Sequence, residues 1–269
     1  MDNRPVGVFD SGLGGLTVVR RLQELLPNEN VVYFGDTGRV PYGTRSEETI
    51  RRYAQEDCQF LLEKDVKFII AACGTVSSVA PDILQSLPIP AIGVVETTAA
   101  TAALATKNKR IGIIGTAATV RSRSFEKALL HLDPTISVIA EACPMFVSLV
   151  ENGWVDPQDE VAVATVRRYM APFKKAAIDT LILGCTHFPL LTQIIQQELD
   201  NAVTLIDSGK ETARCCAALL KENDAFAQNN SGNCRFFVSD QPDGFIHTAE
   251  IFLGRHVREE VEMVSLQKG

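Results

Sequence analysis

The sequence lacks the features that mark membrane proteins and nucleic-acid-binding proteins. Among its 269 residues, no apolar run approaches the ~18 consecutive residues that a membrane-spanning helix requires. Acidic residues outnumber basic residues by 33 to 26, so the formal net charge is −7 and no basic surface is available for nucleic acid. The first residues, Met1 to Pro5, lack the charged start and apolar stretch of a signal peptide. We therefore expect a cytoplasmic protein that binds neither membrane nor nucleic acid.

Residue patterns that build common cofactor sites are also missing. The seven cysteines include no C-x-x-C pair, so their spacing predicts neither a disulfide framework nor a zinc ribbon. His131, His247 and His256 are scattered along the chain, which is not typical of a metal site. The glycine-rich segment Ser11–Gly15 departs from the dinucleotide pattern G-x-G-x-x-G, because Thr17 takes the place of the last glycine. We predict that the protein uses no metal, no nucleotide and no other cofactor.

The sequence does contain an alternation of short apolar runs with segments of helical periodicity. Strand–helix alternation predicts parallel sheets covered by helices, and therefore an α/β fold. We predict helix starts at the possible capping box Thr44-x-x-Glu47 and at Asp156-Pro157, and a surface loop over Lys221–Cys234 before a terminal helix. The apolar runs that predict strands are Val6–Phe9, Val31–Phe34, Phe68–Ala72, Ile92–Val95, Ile111–Ile114, Ser137–Ala140, Leu181–Leu183, Val203–Ile206 and Phe236–Val238.

Two pairs of similar motifs indicate that the chain consists of two related halves. The segment that ends in Cys73-Gly74-Thr75 resembles the segment that ends in Cys185-Thr186-His187, and the segment around Val6 resembles that around Ile111. The two pairs stand at comparable spacing. We therefore predict two pseudo-symmetric parallel-sheet α/β domains that face each other across the active site. Residues 1–96 and 208–269 are assigned to the first domain, and residues 97–207 to the second.

The ends of the predicted strands carry most of the polar residues that could do chemistry. In open parallel sheets, ligands bind outside the carboxyl ends of the strands. Loops at these ends offer backbone N–H groups and hydroxyls that suit carboxylates, particularly where a helix begins. The residues at these positions are Asp10-Ser11, Gly35-Asp36, Cys73-Gly74-Thr75, Gly115-Thr116 and Cys185-Thr186-His187.

Two cysteines at the ends of strands in two facing halves fit one reaction in particular. To invert an α-carbon, one group removes the proton from one face while another group delivers a proton to the opposite face. A thiolate and a thiol can do this, because the reference thiol pKa of about 8.5 lies close to neutrality. Asp10 could assist Cys73, and His187 and Glu151 could assist Cys185. From the spacing alone, packing roles for both thiols remain open.

Four long motifs in order, and a short fifth, strongly resemble those of the glutamate racemase family. They are Gly7–Gly15, Gly35–Gly43, Ile111–Thr116, Leu183–Leu191 and Asp207–Gly209, and the resemblance extends from about Val6 to Gly254. It implies two α/β domains, no cofactor, two cysteine bases, and a role in supplying D-glutamate for bacterial peptidoglycan. Cys73 would face the α-proton of the D-enantiomer and Cys185 that of the L-enantiomer.

The resemblance also implies a role for each site residue. The bases match Cys73 and Cys185, and their assistants match Asp10, Glu151 and His187. Asp10 and His187 are also counted among the substrate contacts, whose other matching members are Ser11, Pro41, Tyr42, Gly43, Thr75, Thr116, Thr119 and Thr186. Gly74 is included as a substrate contact by its position, although its residue type differs from that of the family. Apart from the resemblance, the position of Asp36 predicts a structural role in capping the loop that holds Pro41, Tyr42 and Gly43, and the apolar helix face of Cys58 predicts a place in the core.

Gly74 is the one clear departure from the family pattern. The family usually has Cys-Asn-Thr at the first cysteine, whereas this chain has Cys73-Gly74-Thr75. The missing amide removes a polar contact of about 1 kcal/mol. If nothing replaces this contact, Gly74→Asn should lower the KM for glutamate. If the space is already filled, the substitution should lower activity, and a third alternative is a pocket that admits another amino acid.

Several other functions remain as alternatives. The first is a related racemase acting on aspartate, or a decarboxylase of substituted malonates, although a decarboxylase needs only one thiol. A Cys–His acyl-transfer enzyme would use Cys185 and His187 but would leave Cys73 without a role. A two-lobed binding protein is the alternative without catalysis. The sequence permits a homodimer and does not locate its interface.

Overall fold

The computed structural model describes residues 1–266, which form two parallel sheets with helices between their strands. The strands are β1 Val6–Asp10, β2 Val31–Gly35, β3 Phe68–Ala71, β4 Ala91–Gly93, β5 Arg110–Gly115, β6 Ser137–Ala142, β7 Thr180–Leu183, β8 Thr204–Asp207, β9 Cys234–Val238 and β10 Val261–Met263. The helices are α1 Leu16–Leu25, α2 Glu47–Glu63, α3 Gly74–Val79, α4 Pro81–Gln85, α5 Val94–Ala105, α6 Ala117–Ser122, α7 Ser124–Leu132, α8 Pro144–Glu151, α9 Glu160–Ala176, α10 Thr192–Glu198, α11 Ser208–Glu222 and α12 Pro242–Leu253. No helix in this part of the chain is both long enough and apolar enough to span a membrane.

The two sheets repeat the same strand order. The first sheet has the order β10-β9-β2-β1-β3-β4, and the second has the order β6-β5-β7-β8. The segment β2-β1-β3-β4 therefore corresponds strand by strand to β6-β5-β7-β8. In this correspondence β1 matches β5 and β3 matches β7, which are the two pairs of strands that the sequence motifs link. The prediction of two pseudo-symmetric parallel α/β domains is confirmed.

The strands that lead to the two cysteines, β3 and β7, and the neighbouring β1 are buried along their whole length. Every residue of β1, β3 and β7 is buried, which is the pattern of strands covered by helices on both faces. One cluster of buried side chains joins the first sheet to the second, and includes Val8 and Leu16 on one side and Phe188 and Leu191 on the other. This shared core holds the carboxyl ends of β3 and β7 next to a common space.

The helix starts differ from two of the predictions. The predicted capping box at Thr44 is wrong, because α2 begins at Glu47 and its cap is Ser46, whose Oγ accepts a hydrogen bond from the Thr49 N–H at 3.3 Å. The helix start predicted at Asp156 is wrong as well. Helix α9 begins at Glu160, where the Asp159 carboxylate accepts from the Ala162 N–H at 2.8 Å. In both places a second capping residue two or three positions later supplies the bond, which periodicity alone does not distinguish.

The other element boundaries shift by a few residues. The strand predicted over Ile92–Val95 ends at Gly93, and α5 begins at Val94. The loop predicted over Lys221–Cys234 is shorter, because α11 continues to Glu222 and β9 begins at Cys234. After the terminal helix α12 the chain adds β10 at the edge of the first sheet. The domain boundaries at residues 96/97 and 207/208 remain a prediction.

Candidate active site

A cleft of about 350 Å³ lies between the carboxyl ends of the two sheets. Both domains contribute to its wall: Cys73 follows β3 in the first sheet, and Cys185 follows β7 in the second. The fold therefore brings together residues that are far apart in sequence. The site residues predicted from the sequence that line the cleft are Asp10, Ser11, Pro41, Tyr42, Gly43, Cys73, Gly74, Thr75, Thr116, Glu151, Cys185, Thr186 and His187.

Thr119 is the predicted contact that does not line the cleft. Its hydroxyl is 3.0 Å from the Thr116 hydroxyl, and Thr116 Oγ1 in turn accepts the Thr119 N–H at 3.2 Å as the cap of α6. Thr116 also lies 3.3 Å from the Thr75 hydroxyl of the other domain. Thr119 thus supports a chain of three hydroxyls that crosses from the second domain to the first.

Cys73 lies at the end of β3, where it is 4% exposed. Burial and, next, the negative charge of Asp10 raise the pKa of the Cys73 thiol to about 12, although hydrogen bonds from Val76 and Ser11 lower it in part. Asp10 is itself buried at the end of β1, and its Oδ2 accepts the Gly12 N–H at 3.0 Å. This environment favours a protonated thiol at Cys73 in the unliganded protein.

Cys185 has a different environment, dominated by a histidine. The Cys185 Sγ is 3.8 Å from His187 Nδ1, and His187 Nε2 is 3.1 Å from Glu151 Oε1. Burial alone would lower the pKa of His187, but its hydrogen bonds to Cys185 and Glu151 raise that pKa to about 10. His187 is therefore an imidazolium at neutral pH. The positive charge of His187 therefore lies beside the Cys185 sulfur.

The two cysteines thus differ in the charge beside them. The first has the Asp10 carboxyl as its neighbour, and the second has the His187 imidazolium. Two thiols with neighbours of opposite charge consequently line the same cleft.

Two glycines allow the domains to approach closely around the cysteines. A Cβ added at Gly74 would lie 2.7 Å from the carbonyl oxygen of Gly184, the residue before Cys185. A Cβ added at Gly14 would lie 1.9 Å from Thr186 Oγ1 and 2.7 Å from His187 Nδ1. At Gly74 the space that an asparagine would enter is therefore occupied by backbone of the other domain. The structure favours the alternative in which Gly74→Asn lowers activity.

One wall of the cleft was missed by the sequence analysis. Pro144, Val147 and Ser148 line the cleft together with Glu151, at positions i, i+3, i+4 and i+7 of α8. This spacing is that of a single helix face. The spacing is visible in the sequence, but only the packing of α8 across the cleft shows that this face meets the substrate space. Val40, Thr44, Ala117 and Gly184 complete the lining.

Among residues 1–266, no three histidine, cysteine, aspartate or glutamate side chains are grouped as a metal ligand set would be. Asp36 does not line the cleft, and its carboxylate makes a short hydrogen bond with the Tyr42 hydroxyl. Cys58 is buried in the core, as predicted, and of the remaining cysteines only Cys215 is partly exposed.

Comparison with known proteins decides the family. A model of the Asp/Glu/hydantoin racemase family matches residues 6–216. The chain belongs to this family. It is similar to the glutamate racemase of Geobacter metallireducens, at 45% identity over 98% of this chain and 97% of that protein. It is also similar to the glutamate racemase of Neisseria meningitidis, at 46% identity over the same shares.

Solved structures of racemases have the same fold. A glutamate racemase from Bacillus anthracis superposes with a TM-score of 0.94 at 39% identity, covering 99% of both chains. One from Francisella tularensis, in complex with D-glutamate, gives a TM-score of 0.91 at 38% identity, again covering 99% of both chains. The resemblance inferred from the motifs is therefore confirmed, and the protein is an amino-acid racemase that acts on a small molecule.

Proposed function

We propose that this racemase interconverts L-glutamate and D-glutamate, with Cys73 and Cys185 as its two bases and without a cofactor. The observation that carries the proposal is the placement of the two thiols. They follow corresponding strands of two pseudo-symmetric domains and line one cleft from its two sides. Inversion at a carbon atom requires a proton acceptor on one face and a proton donor on the other, and this arrangement supplies both.

In the proposed reaction the Cys185 thiolate removes the α-proton of L-glutamate. The electron pair of the broken C–H bond is delocalised into the substrate carboxylate, and Cys73 then delivers its thiol proton to the opposite face of the carbon. D-glutamate leaves with Cys73 as the thiolate and Cys185 as the thiol, so the reverse reaction begins from those states. Backbone N–H groups and hydroxyls in the strand-end loops would stabilise the charge that develops on the carboxylate.

The neighbours of the two thiols fit these roles. His187, held by Glu151, supplies positive charge beside Cys185. Asp10 keeps the proton on Cys73, and we propose that it also binds the substrate ammonium group. The ammonium group would then offset the negative charge of Asp10, which would no longer disfavour a thiolate at Cys73. Cys73 could therefore act as the base in the reverse reaction, from D-glutamate to L-glutamate.

Glutamate is favoured as the substrate by the relatives and by the size of the cleft. The cleft volume of about 350 Å³ lies at the small end of the range for ligand pockets. Residues suited to carboxylates come from both domains, including Ser11, Thr75, Thr116 and Thr186. We further propose that the enzyme works in the cytoplasm, where D-glutamate is needed as a precursor of peptidoglycan. A homodimer remains a prediction.

The proposed function is tested by incubating the purified protein with L-glutamate, D-glutamate and L-aspartate and separating the enantiomers by chiral chromatography. We expect each glutamate enantiomer to be converted into the other, and L-aspartate to react much more slowly. A chelator and a carbonyl reagent should leave the rate unchanged, whereas a thiol-alkylating reagent should inactivate the enzyme and glutamate should protect it. Conversion of aspartate but not glutamate would show that the protein is instead a related racemase that acts on aspartate. Binding of glutamate without inversion would overturn it.

A further inference from the structure

Two buried carboxyl groups lie behind the cleft and take no part in the proposed reaction. The side chains of Asp36 and Asp57 are both fully buried, and neither lines the cleft. Between them lies the hydroxyl of Tyr42, which makes a short hydrogen bond with Asp36 Oδ2 and stands 2.9 Å from Asp57 Oδ2. Tyr42 belongs to the loop that forms part of the cleft wall. The arrangement therefore connects two buried acids to the substrate space.

A phenol hydroxyl has only one proton to donate, so the two contacts of Tyr42 cannot both be donations to carboxylates. Both contacts can be full hydrogen bonds only if one of the two acids carries a proton and donates it to the Tyr42 oxygen. The hydrogen bonds of Asp36 leave little room for that proton. Its Oδ1 accepts from Ser239 Oγ at 2.7 Å, and its Oδ2 accepts from Arg39 Nε at 2.5 Å. The Ser239 hydroxyl also accepts the Gly38 N–H at 2.9 Å, and its own O–H is directed at Asp36 Oδ1.

Asp57 has one oxygen free to carry the proton. Its Oδ1 accepts from Arg39 Nη2 at 3.0 Å, and its Oδ2 has Tyr42 as its hydrogen-bond partner. A proton on Oδ2 would complete the network, since Asp57 would donate to Tyr42 and Tyr42 would donate to Asp36. No hydrogen bond would then be lost and no two carboxylates would compete for one proton.

The charges around Asp57 also favour a proton on its carboxyl group. Arg39 is the cation in direct contact with it, and it is shared with Asp36 and Glu56. Arg52, on the exposed side of α2, contacts Glu56 at 4.0 Å, the Cys58 thiol is a further titratable neighbour, and the Tyr53 ring packs on Arg39 and Tyr42. Burial and, next, the charge of Asp36 raise the pKa of Asp57 well above its usual range, although Arg39 and Tyr42 lower it in part.

We propose that Asp57 is a positioning residue that keeps its proton at neutral pH and donates it to Tyr42, so that Asp57 and Asp36 together fix the Tyr42 loop against the substrate. The role in substrate binding rests on the proposed function, whereas the location of the proton does not. Asp57 acts through Tyr42 and touches no reacting atom. Its effect should therefore appear in the KM for glutamate more than in kcat.

Three substitutions distinguish a protonated Asp57 from an ionised Asp57. In Asp57→Asn the amide NH₂ can donate to Tyr42 and the amide oxygen can accept from Arg39, which reproduces the proposed bonds of the protonated acid. The KM should then stay within about twofold of the wild type. Asp57→Leu removes both bonds, and Asp36→Asn places a donor against Arg39 or Ser239. Each of these two should raise the KM about tenfold or more, because each loses or opposes a hydrogen bond to a charged group.

The location of the proton is measured separately, from the pH dependence of urea unfolding. The folded protein would hold a proton on Asp57 that the unfolded chain releases above a pKa of about 3.9. Because the folded state binds the extra proton, the free energy of unfolding should fall as the pH rises from about 5 to 8. Asp57→Asn removes this contribution, so its unfolding free energy should depend less steeply on pH than that of the wild type.

Each result bears on one part of the proposal. The proposal is supported if the unfolding free energy of Asp57→Asn depends less steeply on pH than that of the wild type and its KM for glutamate is nearly unchanged, while Asp36→Asn has a raised KM. An unchanged slope, or an Asp57→Asn enzyme as impaired as Asp57→Leu, would overturn it. If the wild type racemises no glutamate, the proposed function fails instead, and the comparison of slopes still decides which acid holds the proton.

Discussion

Replacing either Cys73 or Cys185 with alanine is expected to abolish racemisation in both directions. Each substitution leaves one face of the α-carbon without a proton acceptor or donor, and a positioned acid or base contributes about 10²- to 10⁴-fold to a rate. We expect kcat to fall by at least this factor in each variant, as measured by chiral chromatography from both enantiomers. Glutamate should still bind, because the loops that carry Ser11, Tyr42 and Thr186 remain intact.

The remaining thiol in each variant gives a second observable. Cys185 alone should still exchange the α-proton of L-glutamate with solvent in Cys73→Ala, and Cys73 alone should exchange that of D-glutamate in Cys185→Ala. The matched control is Cys216→Ala, since Cys216 is fully buried in α11 and lies outside the cleft. Near-native interconversion by either of the two cleft variants would show that the assignment of two bases is wrong.

Adding a single methyl group at Gly74 is expected to cause the second largest loss of activity, after the two cysteine substitutions. In Gly74→Ala the new Cβ would stand 2.7 Å from the carbonyl oxygen of Gly184, so one of the two strand ends must move. Either movement displaces a cysteine, because Gly74 follows Cys73 and Gly184 precedes Cys185. A misplacement of about 1 Å can cost ~10²-fold in rate, and we expect kcat/KM to fall by about that factor.

Two further variants make this result interpretable. Gly244→Ala is the control, because a Cβ at Gly244 meets no atom within 4 Å and should leave activity unchanged. Gly74→Asn introduces the same Cβ together with the amide that the family usually has at this position. If Gly74→Asn is more active than Gly74→Ala, the amide contributes to binding in spite of the clash. Wild-type kinetics in both Gly74 variants would contradict the close approach of the two strand ends.

The fold and most of the cleft lining could be predicted because they depend on local rules. Buried apolar runs predict strands, and parallel strands place the residues that follow them at one edge of a sheet. Asp10, Cys73, Thr116 and Cys185 were chosen on this basis, and all four line one cleft. The roles proposed for them remain to be tested by experiment.

What could not be predicted depends on contacts between distant segments. A side chain at position 74 would clash only because Gly184, from the other domain, lies against Gly74. The link from Asp57 to Tyr42 likewise joins α2 to a loop that follows β2, and nothing in the sequence around either residue indicates it. The helix start at Ser46 was missed for a different reason, since Thr44 offers an equally suitable cap two residues earlier.

The most direct test of the two-base mechanism follows the α-hydrogen during the first few per cent of the reaction. The wild-type enzyme is incubated with L-glutamate in deuterium oxide, and both enantiomers are isolated and analysed by mass spectrometry. Two bases on opposite faces predict that the D-glutamate formed carries one deuterium at Cα, because Cys73 delivers a proton that has exchanged with solvent. The recovered L-glutamate should remain unlabelled. Deuterium entering L-glutamate as fast as D-glutamate, or D-glutamate that keeps the original hydrogen, would contradict the mechanism.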